Sequence, residues 1–141
     1  MLRLAFLTLF LGLSFFSPSM AASDLKVIIG DVSDYGGKLR FFIHNEQSYP
    51  LEEEALLYME LKPREGDMVH HITGLKKGRY AIIVHHDDNQ DNEFNTNQFG
   101  MGEEGVGYTN DPRLTFGMPE FEDVWFNFDG TKDVVVVYMT Y

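Results

Sequence analysis

Apolar residues in this chain recur at every second position in short runs, and each run ends in a turn signal. A period of two belongs to a strand with one buried face, whereas an amphipathic helix spaces its apolar residues by three and four. Leu25, Val27 and Ile29 alternate and stop at Gly30, and Tyr35-Gly36-Gly37 marks a turn. Leu39, Phe41 and Ile43 share one face of the next run. Residues 68–73 and 79–85 read as strands joined by a hairpin loop over 74–78. Residues 124–128 and 134–141 close the chain around Asp129-Gly130, a strong turn signal. Residues 55–61 fit either element, since Glu52-Glu53-Glu54 could open a helix while Leu57-Tyr58-Met59 suits a strand; Pro63 ends the run in both cases. Six or seven short strands without an amphipathic helix predict an all-β fold, an antiparallel Greek-key β-sandwich of about seven strands. One stretch breaks the pattern: residues 86–122 contain no clear strand and read as a long loop, of the kind that is functional or ligand-stabilised in compact domains.

The first 22 residues are set apart from this fold. Arg3 supplies a positive start, residues 4–16 are apolar, and Ser17-Pro18-Ser19-Met20-Ala21-Ala22 offers small residues for cleavage. That is the layout of a secretory signal peptide, and its apolar part is short for a membrane span. The expectation is an exported protein, periplasmic or extracellular, with a single domain over residues 23–141 and no membrane span after cleavage. Without cysteine it has neither a disulfide framework nor a thiolate nucleophile nor a Cys-type zinc site, and export without disulfides is more typical of bacteria.

Charge narrows the partners. The chain carries 11 Lys and Arg against 22 Asp and Glu, and loss of Arg3 with the leader moves the net charge from −11 to −12. Nucleic acid and anionic membrane surfaces both call for clustered basic residues, so neither is expected as a partner. Nine of the 22 acids fall within residues 86–122. From Asp87, oxygen-bearing side chains occupy alternate positions: Asp87, Asn89, Asp91, Glu93 and Asn95. Calcium takes six to eight hard oxygen ligands, and such spacing lets one curled loop present them. Asn92 stands where calcium loops usually place glycine and tolerates the left-handed backbone needed there. Gln98 replaces the bidentate Glu of an EF-hand, and a strand precedes the loop, so the expected site is of a strand-loop type. The bland alternative is an Asx-rich turn whose side chains bond their own backbone.

Other constellations carry less. His70-His71 and His85-His86 invite a zinc or copper site, but hairpin offset and strand alternation separate them. Gly100, Gly102 and Gly105 match a dinucleotide fingerprint without the flanking strand and helix, and 106–112 continue as loop. Glu103, Glu104, Glu120, Glu122 and Asp123 could supply paired carboxylates in an enzyme, with His86 as partner. Trp125 falls out of phase with Val124, Phe126 and Phe128; it is read as an anchor for the loop, or as a sugar platform with Tyr108. His86, Tyr108 and Trp125 thus form the candidate ligand surface.

Taken together, Gly78-Arg79-Tyr80-Ala81-Ile82, His86-Asp87-Asp88-Asn89 and Asn95-Thr96-Asn97 resemble the bacterial secreted family known as domain of unknown function 2141. The segments 99–101, 104–110 and Pro119 to Asp123 continue the likeness. The resemblance implies a small exported domain of prealbumin-like or carboxypeptidase-regulatory-like type and implies no activity. Members often carry Asp at the position of Asn95 and Pro-Lys at Gly102-Glu103, which weakens the calcium ligand set here. The reading is a non-enzymatic binding or interaction module with a protein or glycan partner, stabilised by calcium through residues 87–98. A carbohydrate-binding surface and an enzyme using loop carboxylates with His86 are the alternatives.

Overall fold

The computed structural model describes residues 23–98, 102–114 and 117–141; the leader expected over 1–22 and Gly100 of the glycine run lie outside them. The strands are β1 (Asp24–Val32), β2 (Lys38–His44), β3 (Leu57–Leu61), β4 (Gly66–Thr73), β5 (Gly78–Asp87), β6 (Gly105–Thr109), β7 (Phe126–Phe128) and β8 (Lys132–Thr140). A 3-10 turn at Glu52–Glu54 and one helical turn, α1 (Phe121–Val124), accompany them. Residues 57–61, ambiguous by periodicity, are drawn into the sheet by antiparallel pairing with β2, Met59 opposite Phe41.

The hydrogen-bonded order is β3-β2-β5-β6-β8-β1-β4, and β7 adds to the start of β5. The sheet has to curl. Six strand spacings laid flat would set the edge strands about 29 Å apart. Yet β3 and β4, the two edges, are joined only by residues 62–65, a link whose reach is about 17 Å. The all-β expectation holds, but the strands follow one continuous path into a half-barrel where a Greek-key sandwich was expected. The sheet is also mixed: β1 and β8 run parallel, Val27 opposite Val135. The hairpin expected at 74–78 does not form, because β4 pairs with β1 while β5 pairs with β2, β6 and β7. Alternation tells which face a side chain takes; it does not say which strand lies beside it.

The curl creates an inner face that buries Leu25, Val27, Ile29, Leu39, Phe41, Ile43, Ile82, Val84, Phe128 and Val137 in one cluster. A second cluster lies on the outer face of β2, β5 and β6: Phe42, Ala81, Ile83, Val106 and Tyr108 pack with Phe121 and Val124 of α1. The long segment between β5 and β7 therefore covers this outer face, and β2 and β5 are buried on both sides. Its far end is fastened twice. Arg79 bonds Glu122 through Nη2 at 2.8 Å to each carboxylate oxygen, and its guanidinium lies 4.1 Å from the centre of the Trp125 ring. Thr109 Oγ1 donates to the carbonyl of Val124.

Within that segment residues 105–109 form β6, a correction to the loop read from the sequence. Glycine hid it. A Cβ on Gly107 would stand 2.7 Å from the carbonyl oxygen of Tyr138 and 2.8 Å from Val137 Cγ1, so β6 and β8 approach at a distance that excludes a side chain.

Candidate metal centre

The end of β5 sends His85 and Asp87 to the outer face and His86 to the inner one, because strand side chains alternate. Antiparallel pairing sets His86 opposite Gly105. Continued by one residue, that register carries Glu104 to Asp87 across the mouth of the long loop. Asp87, Asp91 and Glu104 form a three-carboxylate group whose ligand-capable atoms all lie within 4.8 Å of one another.

Two of these acids are buried. Asp87 is fully enclosed; its Oδ1 accepts the backbone N–H of Asp91 at 3.1 Å and its Oδ2 that of Asn92 at 3.0 Å. The Glu104 side chain is 2% exposed. Its Oε2 accepts from His85 Nε2 and from the Asn95 N–H, both at 2.9 Å. Its Oε1 is buried without a hydrogen-bond partner. A carboxylate oxygen that has left water and found no donor carries a desolvation cost with nothing protein-derived to offset it.

Asp91 is exposed and held by the loop. Its Oδ1 accepts the Glu93 N–H at 2.8 Å, and its Oδ2 accepts from Asn89 Nδ2 at 2.9 Å and Asn95 Nδ2 at 3.3 Å. The Glu93 N–H is the main reason its carboxyl is held below the usual carboxylate range, with the two amides adding to it. Asn89 Nδ2 also donates to Asn95 Oδ1 at 2.8 Å. Left-handed backbone at Gln90 (φ 63°) and Asn92 (φ 66°) produces the curl, and Asn92 takes the conformation its position requires.

Basic residues from β2 brace the loop from below. Lys38 Nζ donates to Asn92 Oδ1 at 2.6 Å and to Glu60 at 3.0 Å, and lies 3.8 Å from Asp87 Oδ2. Arg40 donates to the Asn92 carbonyl at 2.8 Å and forms a two-pronged pair with Glu52. Lys38 thus offsets part of one carboxylate charge. The cluster stays anionic.

Of the ligands expected from spacing, Asp87 and Asp91 stand in the cluster, and Asn89 and Asn95 stand against Asp91. Glu93 enters this network through its backbone N–H, and its carboxylate is outside the three-carboxylate group. Glu104 was missed as a ligand because it lies far along the chain; an earlier reading of β6 would have revealed it. Of the expected ligand surface, His86 and Tyr108 are buried, while Trp125 keeps a partly exposed side chain. His86 is 1% exposed, bonded to Tyr141 Oη at 3.0 Å and the Gly36 carbonyl at 2.8 Å. Tyr108 is 4% exposed within the outer-face cluster, where burial pushes its hydroxyl up to about 12. Trp125 packs at the margin of that cluster beneath Arg79, the position of an anchor. His86 and Glu104 take opposite faces of β5, so the pairing of His86 with loop carboxylates is not formed there. The two His pairs sit on β4 and β5, which are not neighbours, and no three-residue group of metal ligands among the described residues includes a histidine.

The class defined by these features is a curled all-β domain with a partly buried carboxylate cluster at the end of a doubly covered strand. The chain belongs to the family described as "Uncharacterized protein conserved in bacteria (DUF2141)", whose model matches residues 27–136, in agreement with the resemblance read from the sequence. No curated protein and no solved structure matches it. Among the described residues, no helix is long and apolar enough to cross a membrane.

Proposed function

We propose that the protein is an exported, non-enzymatic binding module whose 87–104 region is organised by a calcium ion. Asp87, Asp91 and Glu104 would supply the charge, and the side-chain oxygens of Asn89 and Asn95 would add to the shell. The observation that carries this reading is that Glu104, one of three clustered carboxylates, has a buried Oε1 without a hydrogen-bond partner. Folding desolvates two acids and brings a third to them; a divalent ion repays that cost in a way that Lys38 at 3.8 Å from Asp87 and the single His85 bond to Glu104 do not. The all-oxygen donor set favours a hard cation over a transition metal. Export is supported by Arg3, the apolar run 4–16 and the small residues that follow it. With three carboxylates and a flexible amide shell, the affinity belongs to the range of extracellular modules, about 0.1–1 mM.

Thermal unfolding in calcium and in chelator, with calorimetric titration beside it, tests the reading. A higher midpoint in calcium and a saturable heat are expected. Identical midpoints and no heat at about 10 mM calcium, ten times the weak end of that range, would overturn it.

A further inference from the structure

We propose that cation binding at Asp87, Asp91 and Glu104 and docking of the 88–98 strap onto the outer face of β5 and β6 are one coupled event, so that the ion controls access to an apolar surface. This rests on the cation reading above and adds a regulated consequence to it. The strap touches the sheet through one large apolar side chain. Phe94 belongs to the margin of the outer-face cluster with Phe42, Ile83, Val106 and Tyr108, and its ring meets that of His85 edge-on with centroids 5.1 Å apart. A Cβ on Gly102 would stand 2.8 Å from the tip of the Phe94 ring, so the glycine makes room for it.

The same few residues build the cation cluster. Asp91 and Asn95 flank Phe94 in the chain, three positions before it and one after. The Asn95 N–H is bonded to Glu104 Oε2, which His85 also holds, and the Asn95 carbonyl accepts the Glu103 N–H at 2.9 Å. Phe94 is adjacent in the chain to Asn95, so its departure from His85 disturbs the Asn95 to Glu104 bond, and Asp91 lies on the same strap. Without a cation, three carboxylates stand within 4.8 Å of one another, two of them anchored at the strand ends, and their repulsion bears on Asp91 and the strap that carries it.

Packing under the strap is loose enough to permit this. A cavity lined by Phe42, Ile83, His85, Phe94, Val106 and Tyr108 holds about 20 Å³, room for one water molecule. His85 Nδ1 is buried without a protein partner. Further along, Arg79, Glu122 and Trp125 clamp the covering segment independently of the cluster, which confines the movement to the strap.

The test is hydrogen exchange on the full chain in calcium and in chelator, with anilinonaphthalene sulfonate as the apolar-surface probe and calorimetry to score cation binding. In chelator the amides of Asp91, Asn92, Glu93 and Asn95 should exchange about tenfold faster while those of β1 are unchanged, the mark of a local opening. Dye emission should rise with them. A Phe94→Ala variant should bind the dye even in calcium and, because the coupling is reciprocal, should bind calcium several-fold more weakly by calorimetry than the parent; an unchanged calcium affinity would overturn the coupling. If calcium binds but strap exchange and dye emission do not change, the coupling is overturned and the cation site stands. If calcium does not bind at all, both readings fall together.

Discussion

Glu104→Gln separates a cation ligand from a merely structural acid, because the two side chains have nearly the same shape. The amide oxygen of Gln can still accept from His85 Nε2 and the Asn95 N–H, the two bonds made by Glu104 Oε2. Both bonds lose their charge assistance, at about 1 kcal/mol each. Against this, the substitution exchanges the unpartnered buried carboxylate oxygen, itself a penalty of about 1–3 kcal/mol, for an amide nitrogen that can donate to the neighbouring carboxylates. In chelator the two effects nearly cancel, and the variant should unfold close to the parent. Calcium then divides them. With a dissociation constant of about 1 mM and about 10 mM calcium, the parent gains roughly 1.4 kcal/mol. An unfolding entropy of about 0.25 kcal/mol/K for a domain of this size turns that gain into a rise of about 5–6 °C in midpoint. The variant, short of one charge and one ligand oxygen, should rise by less than about 1 °C. Differential scanning calorimetry in paired calcium and chelator buffers reads all four midpoints. Equal calcium shifts in parent and variant would refute the assignment of Glu104. A variant far less stable than the parent in chelator would refute the claim that Oε1 is left without a partner.

Acid should weaken the fold through the buried imidazole of His44 and the partly buried one of His70. Burial holds His44 below the ordinary histidine pKa, partly opposed by the Ser48 carbonyl, and burial with Arg64 does the same to His70. The unfolded chain therefore takes up these protons first, so stability is full above about pH 6.5 and falls as pH drops below it, by up to about 1.4 kcal/mol per pH unit for each group. Urea unfolding at pH 7.5 and 5.5 reads the slope; His44→Asn should make it shallower, and an unchanged slope would remove His44 from the account. Arg79→Leu should cost about 1 kcal/mol, since it loses a cation–π contact and an exposed ion pair. The emission of Trp125, the only tryptophan, should shift as its covering guanidinium is lost, and an unchanged spectrum would contradict the stacking. Gly107→Ala should destabilise by about 1–3 kcal/mol from overpacking against β8, more than the roughly 0.4–1 kcal/mol gained by stiffening the unfolded chain. A neutral or stabilising result in chemical denaturation would contradict the close approach of β6 to Tyr138.

How much of this could be read from the sequence depends on the range of the physics involved. Alternation is local, so the inner faces of β1 and β2 are legible from Leu25 and Leu39 and their period-two neighbours. Strand partners are not local: the same alternation is compatible with a β4–β5 hairpin and with the observed pairing of β4 to β1, and it says nothing of the parallel β1–β8 contact. Gly107 gives up its side chain so that β6 can lie close to β8, and Gly105 leaves room for the Tyr141 ring; together they erase the periodicity that would have announced the strand. The candidate site divides along the same line. Asp87 and Asp91 were visible because one curled loop sets their spacing, and Asn92 because a left-handed turn favours its side chain. Glu104 was hidden because it reaches Asp87 only through the register of β5 on β6, so the illegible strand and the missed ligand have a single cause. Burial removes His86 and Tyr108 from the expected aromatic surface for a related reason, since residues 86–122 read as a loop beside the sheet, whereas Trp125 takes the anchoring role that its phase already suggested. Folded over the sheet, that segment covers Tyr108, holds Trp125 beneath Arg79 and leaves the carboxylates of β5 and β6 as the chemically unfinished part of the fold.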